Sequence, residues 1–436
     1  MIARGRRWLD GMGATVIALA LWASAAPAQA SPQDLFGYGG RTPGLGMTGT
    51  SYAEGAEAVF ANPAGLGAGR RRELTVGFTG GGYQLEIDGE RDPLTPARGM
   101  VIGFSLPLPF GDVLEDRLVF GGAFYTPAEV LLRGRVRFPT VPQWGVLDRA
   151  QVLSVMAGLG FDFHGIVDGL QIGIALSALA NVYGELFVEL DETNAFSSVV
   201  ETQLITTFAP IVGARYVQDE WGVGLTYRHE LTSSMDLNIV TMDLPVELPV
   251  LTVGGIVQYD PPTLVAEGYW KPIPDLMLVA NVTTRFWNFY PGVQIPTTSM
   301  GLNAPDPEFS ARPSPRVAAE GTWHHGMFTF ALRGGYAFEP TPAPSARVAP
   351  RRTASGDPID QTVPFRLLDS HRHVLTLGGG WTIHLGDDGE RLVLDVFGQA
   401  HLLQNRTHVI GRTDGAPPME TGGYVLTGGW TLRAEF

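Results

Sequence analysis

From Tyr424 to the last residue the chain alternates without a break. Tyr424, Leu426, Gly428, Trp430, Leu432, Ala434 and Phe436 fall on one face, and Thr427, Gly429, Thr431, Arg433 and Glu435 on the other. Residues 327–339 repeat the scheme, with Phe328, Phe330, Leu332, Tyr336 and Phe338 against Thr329, Arg333 and Glu339. So do residues 371–384, with Leu375, Leu377, Trp381 and Ile383 opposite Arg372, Thr376, Thr382 and His384. A period of two means a β-strand with one apolar and one polar face. Runs of this kind begin near 73, 98, 117, 151, 169, 198, 220, 248, 263, 276, 315, 327, 371, 391 and 424.

A soluble sandwich alternates too, with its apolar face turned inward. Here the polar face is small and Gly-rich with scattered charges. Aromatic residues gather at strand ends, at Trp221, Tyr227, Trp270, Trp287, Tyr290, Trp381 and Trp430. That combination fits a transmembrane antiparallel β-barrel, with a lipid-facing apolar band, aromatic girdles and a polar lumen. Single-chain bacterial barrels have an even number of strands, short turns at one end and long loops at the other. The long connections 128–150, 290–314 and 339–370 should share one end. They do so if 248–271 is a single strand interrupted by Asp260-Pro261-Pro262, because a proline pair cannot donate to the ladder. Fourteen strands result, with short turns expected at 164–169, 218–220, 271–275, 324–326 and 386–390. The pattern does not place the run 248–258.

Composition narrows the picture. Arg4, Arg6 and Arg7 precede an uncharged run from Gly13 to Ala23 and then Ala28-Gln29-Ala30, which reads as a signal peptide over residues 1–30 cut after Ala30. Its removal takes away three Arg and one Asp, a net +2, so the formal charge moves from −14 to −16. So acidic an exported chain is a poor partner for nucleic acid. With no cysteine there is no disulfide, thiolate chemistry or Cys-based metal site. No apolar stretch of the mature chain is long enough for a membrane helix.

Between the signal and the first strand lies a stretch of small residues, from Gly44-Leu45-Gly46-Met47-Thr48-Gly49 to Phe60-Ala61-Asn62-Pro63-Ala64-Gly65-Leu66. Asn62 suits a helix cap, Pro63 a first helical position and Gly65 a turn, so tightly packed short helical turns are expected. Gly44-x-Gly46-x-x-Gly49 matches a dinucleotide-binding pattern, but residues 37–43 are not the buried strand which that site requires. Gly44-Leu45-Gly46 and Asn62-Pro63-Ala64, with the terminal Phe436, resemble the hatch and C-terminus of the FadL-type outer-membrane transporters of long-chain fatty acids and aromatic hydrocarbons. Residues 263–290, from Glu267-Gly268-Tyr269-Trp270 to Arg285-Phe286-Trp287, also look like a hairpin of that family.

The resemblance implies a hatch over residues 31–70 plugging a barrel over 71–436 in the outer membrane of a Gram-negative bacterium. It further implies that a hydrophobic ligand, first a long-chain fatty acid, binds in the lumen and leaves sideways after hatch rearrangement. The gap would come from a kink in the third strand, at Tyr125-Thr126-Pro127; alternatively, Pro127 simply ends that strand. Leu35, Phe36 and Leu45 are candidates for an apolar pocket. Alternation turns Arg228, Arg285, Arg333, Arg372 and Arg433 inward, and Arg333 is the candidate for a ligand carboxylate. The alternative is an arginine–carboxylate network with groups such as Glu267, Asp395 and Glu435.

Expected partners are outer-membrane lipids and lipopolysaccharide, the hydrophobic ligand, and the barrel-assembly machinery acting on Phe436, with the chain a monomer. Arg70-Arg71-Arg72 and Arg351-Arg352 would meet lipid phosphates or solvent. There is no Gly-x-Ser-x-Gly motif, and His371, His373 and the pair His324-His325 make no active or metal site, so neither catalysis nor a cofactor is expected. Two other classes compete with transport: a structural or adaptor subunit on the same fold, and a general diffusion porin.

Overall fold

Alternation becomes geometry in the barrel wall. The computed structural model describes residues 32–111, 117–128, 132–133, 142–147, 151–190, 196–242, 251–292, 307–344, 346–347, 349–352, 358–363, 367–385, 389–410 and 418–436. The expected signal peptide lies outside the described residues. Fourteen strands form the wall: β1 (Glu73–Ile87), β2 (Ala97–Pro107), β3 (Leu118–Pro127), β4 (Ser154–Asp162), β5 (Leu170–Leu190), β6 (Phe196–Val217) and β7 (Trp221–Arg228). The second half comprises β8 (Thr263–Ile273), β9 (Leu276–Arg285), β10 (Arg312–His325), β11 (Phe328–Glu339), β12 (Arg372–Leu385), β13 (Glu390–Ile410) and β14 (Met419–Glu435). Each pairs antiparallel with the next. The cylinder closes where β1 meets β14, from Glu73↔Glu435 to Ile87↔Thr421. Closure pairs the first strand with the last and so removes the two edges that an open sheet would present there.

On the outer face Leu375, Leu377, Leu426 and Val317 are each at least half bare. A bare leucine in water forgoes roughly 1.5–3 kcal/mol relative to burial, so this face is stable only against hydrocarbon. Near the short-turn end, aromatic residues sit side by side across strands: Trp221 beside Trp270, and Trp323 beside Phe330 beside Trp381. Trp287 and Tyr290 do not join this girdle. They are buried with Tyr259 and Phe309 in a cluster beyond the long-loop end, with ring centroids 5.2–6.0 Å apart. The reason is local: past Arg285 the chain leaves the wall for a 3₁₀ turn, Trp287–Phe289, so alternation no longer dictates which way a ring points.

The run that the pattern could not place is the descending arm, Leu251–Asp260, of a hairpin whose ascending arm is Leu231–Met242. The two arms are inserted between β7 and β8, which pair directly from Trp221↔Trp270 to Arg228↔Thr263. The single interrupted strand expected over 248–271 is therefore two segments: Leu251–Asp260 pairs with the ascending arm, β8 pairs with β7 and β9, and Asp260-Pro261-Pro262 joins them without making a hairpin turn. The ascending arm pairs parallel with the upper part of β5, from Met235↔Val182 to Met242↔Glu189. Pairing along its whole length fixes β6 to one edge of β5, and β4 takes the lower part of the other. The arm occupies what is left.

Candidate ligand site: the hatch and the luminal cavities

Residues 32–68 lie inside the cylinder as α1 (Pro32–Phe36), α2 (Arg41–Gly44), α3 (Gly55–Ala61) and a 3₁₀ turn, Pro63–Ala68. Asn62 joins the last two. Its side-chain oxygen accepts from Ala64 N (3.1 Å), and its amide donates to the carbonyls of Thr50 (2.7 Å) and Ala214 (3.2 Å). The seat for this joint is a row of glycines in register across three strands, Gly160↔Gly173 and Gly173↔Gly213. A Cβ at Gly173 would overlap the Pro63 carbonyl, and one at Gly213 the Asn62 amide. Only glycine lets wall and hatch backbones approach so closely. On the far side, Thr376 Oγ1 accepts from Gly46 N (2.9 Å) and donates to Gly44 O (3.0 Å). The intervening Leu45 is buried against Tyr52, Tyr269, Met277 and Val279.

Charged side chains hold the hatch chiefly by its backbone. Glu57 accepts from Gly40 N (2.7 Å), Arg41 N (2.9 Å) and Thr42 N (3.2 Å), satisfying the start of α2. Burial pushes the Glu57 carboxyl above its usual range, assisted by the nearby Asp395. Arg215 donates to Ala53 O (2.8 Å), Arg316 to Met47 O (2.8 Å) and Arg285 to Asp34 O (2.9 Å). Arg41 makes a two-bond contact with Glu320, at 2.6 and 3.0 Å. The lumen arginines answer one another through shared carboxylates, as when Glu339 bridges Arg285 and Arg316. Breaking one member of such a buried pair costs about 3–5 kcal/mol, because a bare charge remains.

Among the cavities around the hatch, three stand out. One of about 530 Å³ opens below it at the short-turn end and is polar, with Arg41, Glu57, Glu73 and Arg433 on its walls. A crevice of about 20 Å³ above it is lined by Leu35, Arg285, Arg372 and His401. The third, about 50 Å³, lies between Phe60 of the hatch and Met156, Ile211 and Leu231, with Arg228 and Asp260 at its polar end. The Arg228 guanidinium stacks 4.4 Å above the Phe60 ring.

The sequence-derived candidates separate into groups. Leu35 and Phe36 come together in an apolar cluster with Trp144 and Leu147, which the long-loop end drops into the lumen. Leu45 packs elsewhere, beneath the hatch turn. Arg333 is tied to Glu320 and Asp395 (2.6 Å), as in the network alternative. Arg285 and Arg433 likewise face carboxylates in the lumen. Tyr125 is buried on the inner face, and β3 keeps an unbroken register with β2 through Met100↔Thr126 to Gly99↔Pro127. Pro127 is its last residue. Met156 and Ile211 escaped notice because they are apolar residues on the inward face, where alternation leads one to expect polar ones. Among the described residues no group of three or more His, Cys, Asp or Glu is placed to hold a metal ion.

No protein-family model matches the chain, and no curated protein resembles it in sequence. Solved structures do resemble it. A Pseudomonas aeruginosa FadL homologue superposes with a TM-score of 0.54 at 14% identity, covering 91% of this chain and 97% of the other. The Pseudomonas putida toluene transporter TodX superposes with a TM-score of 0.52 at 12% identity, covering 92% and 99%. By fold, the chain is a FadL-type transmembrane barrel.

Proposed function

We propose that the chain is an outer-membrane transporter for hydrophobic molecules, with long-chain fatty acids as its first ligand class. The observation that carries this reading is the hatch: wall side chains hold its backbone across the lumen, and apolar-lined space survives beside it. An open pore passes hydrophilic solutes without binding them, whereas a plugged barrel serves ligands that must be bound and released. Hydrophobic cargo enters at the long-loop end, rests against the hatch, and leaves sideways into the membrane when the hatch shifts. The chain works as a monomer after its signal peptide is removed. Lipid and lipopolysaccharide surround it, and the barrel-assembly machinery reads its terminal Phe436, whose ring is exposed on the outer face.

The test is uptake of labelled oleate, and in parallel of labelled toluene, by cells that lack their own fatty-acid porin and express the full chain. Oleate uptake above the empty-vector level supports the fatty-acid reading. Toluene alone would change the ligand class. Neither, from a heat-modifiable barrel in the outer membrane, would leave the adaptor reading in its place.

A further inference from the structure

Arg372 opens β12 on the inward face and is only 6% exposed. Glu339 stands directly opposite it on β11, and Leu403 opposite it on β13. Neither satisfies it. The two oxygens of Glu339 are engaged by Arg285 (2.8 Å) and Arg316 (2.6 Å), and Leu403 is apolar. Among the described residues, Nε and Nη1 of Arg372 have no hydrogen-bond partner. Other lumen guanidiniums are placed differently: Arg285, Arg316 and Arg333 each meet a carboxylate, and Arg215 donates to a hatch carbonyl.

A guanidinium stays charged and carries five N–H donors. Buried charges are normally paired, and buried donors normally bonded, because water's contribution has been given up. A buried arginine with two of its three nitrogens unmatched therefore calls for a partner that the chain does not supply.

The space for one is present. Arg372 lines the crevice of about 20 Å³ above the hatch, with Asp34 and Leu35 of α1 on the hatch side. A single water needs roughly 10–15 Å³ of such space, so the crevice admits a guest of about that size and no acyl chain. Charge decides which guest. Arg285, Arg312 and Arg372 face the crevice against Asp34 and Glu339, so positive charge is in excess even with His401 neutral. Widening the circle to Arg316, which acts on Glu339, and to Asp369, which acts on Arg372, sets four arginines against three carboxylates and keeps the sign. Asp34 and Glu339 do not bar an anion, because both are already ion-paired with Arg285 or Arg316. Arg312 is exposed, so the approach from the long-loop end is positive as well.

We propose that Arg372 and this crevice form a binding site for a small monovalent anion of halide size, such as chloride. The anion accepts from the Arg372 N–H groups and offsets the surplus charge beside Arg285 and Arg312. Because Asp34 and Leu35 belong to α1, an occupied site fastens the start of the hatch to the top of β12, where Arg372 itself makes no bond to the hatch. The site stands independently of the transport reading: it fills whether or not hydrophobic cargo passes through the barrel.

The test compares the purified full chain in sodium bromide and in sodium gluconate at equal ionic strength, gluconate being too large for the crevice. In bromide the midpoint of the heat-modifiability transition should shift upward, and amide hydrogen exchange over residues 32–36 should slow. Arg372→Gln should abolish both differences. No difference in the unaltered chain, or one that persists in Arg372→Gln, would overturn the site. Bromide anomalous scattering from crystals of the unaltered chain needs no variant. A peak in contact with Arg372 supports the anion, and water alone in the crevice overturns it.

Discussion

One oxygen of Glu267 accepts both the Ser51 N–H (2.8 Å) and the Ser51 hydroxyl (2.7 Å), so a wall carboxylate grips a single hatch residue twice. Its other oxygen accepts from Gly49 N (2.9 Å) and from the Asn281 amide (2.7 Å). All four acceptor positions of the carboxylate are filled from within the protein.

Glu267→Gln keeps the size but turns one oxygen into a donor facing two other donors. Each hydrogen bond lost in a buried site costs about 1–3 kcal/mol. The hatch should loosen while strand pairing, and with it heat-modifiability, stays intact. Planar-bilayer conductance should therefore rise above that of the unaltered chain. Conductance at the unaltered level would mean that Glu267 does not secure the plug.

Gly173→Ala strikes the seat itself. The added methyl meets the Pro63 carbonyl, backbone against backbone, where no rotamer can yield. Limited proteolysis should then cut within residues 32–68 of a barrel that is otherwise protected. Gly82→Ala, where nothing lies within 4 Å of the new carbon, should leave the hatch resistant. Equal resistance in both variants would contradict the glycine seat.

The Glu57 carboxyl supplies a pH dependence of known sign. Burial raises its pKa in the folded chain above the unfolded value of about 4.3. A carboxyl that binds its proton more tightly when folded contributes stability that is full below the unfolded pKa and lost as pH rises through the folded one. Protease protection of the hatch should thus contain a component that weakens with rising pH above about 4.3. Glu57→Gln should remove that component. A slope unchanged in the variant would assign it to other groups.

Arg333→Ala separates structure from ligand binding. It leaves Glu320 and Asp395 buried short of a partner, which costs about 3–5 kcal/mol. The folded fraction after refolding should drop. The barrels that do fold should bind oleate as tightly as the unaltered chain, because the guanidinium is already held by two carboxylates. A loss of affinity with no loss of folding would restore Arg333 as the ligand's partner.

Much of the wall was legible because alternation is a local signal: β11, β12 and β14 follow it almost residue for residue. The Asn62-Pro63-Ala64 joint was legible as capping chemistry, although the glycine row beneath it unites residues from three distant strands. The hairpin inserted after β7 was not legible. Met235, Leu237 and Ile239 do alternate with Ser234, Asp236 and Asn238, but parallel pairing with β5 depends on which edge β4 leaves free. Trp287 and Tyr290 misled for a similar reason. Their spacing suits a girdle, yet they stand just past the point where the wall ends. That β6 runs on past its pairing with β7 is likewise a matter of long-range pairing, which no local pattern carries.

The most direct measurement compares labelled oleate uptake by cells expressing the full chain with uptake by cells expressing a chain lacking residues 31–66, alongside the bilayer conductance of each barrel. The hatch account predicts that the truncated barrel conducts ions freely and no longer concentrates oleate. Undiminished oleate uptake without the hatch would contradict it.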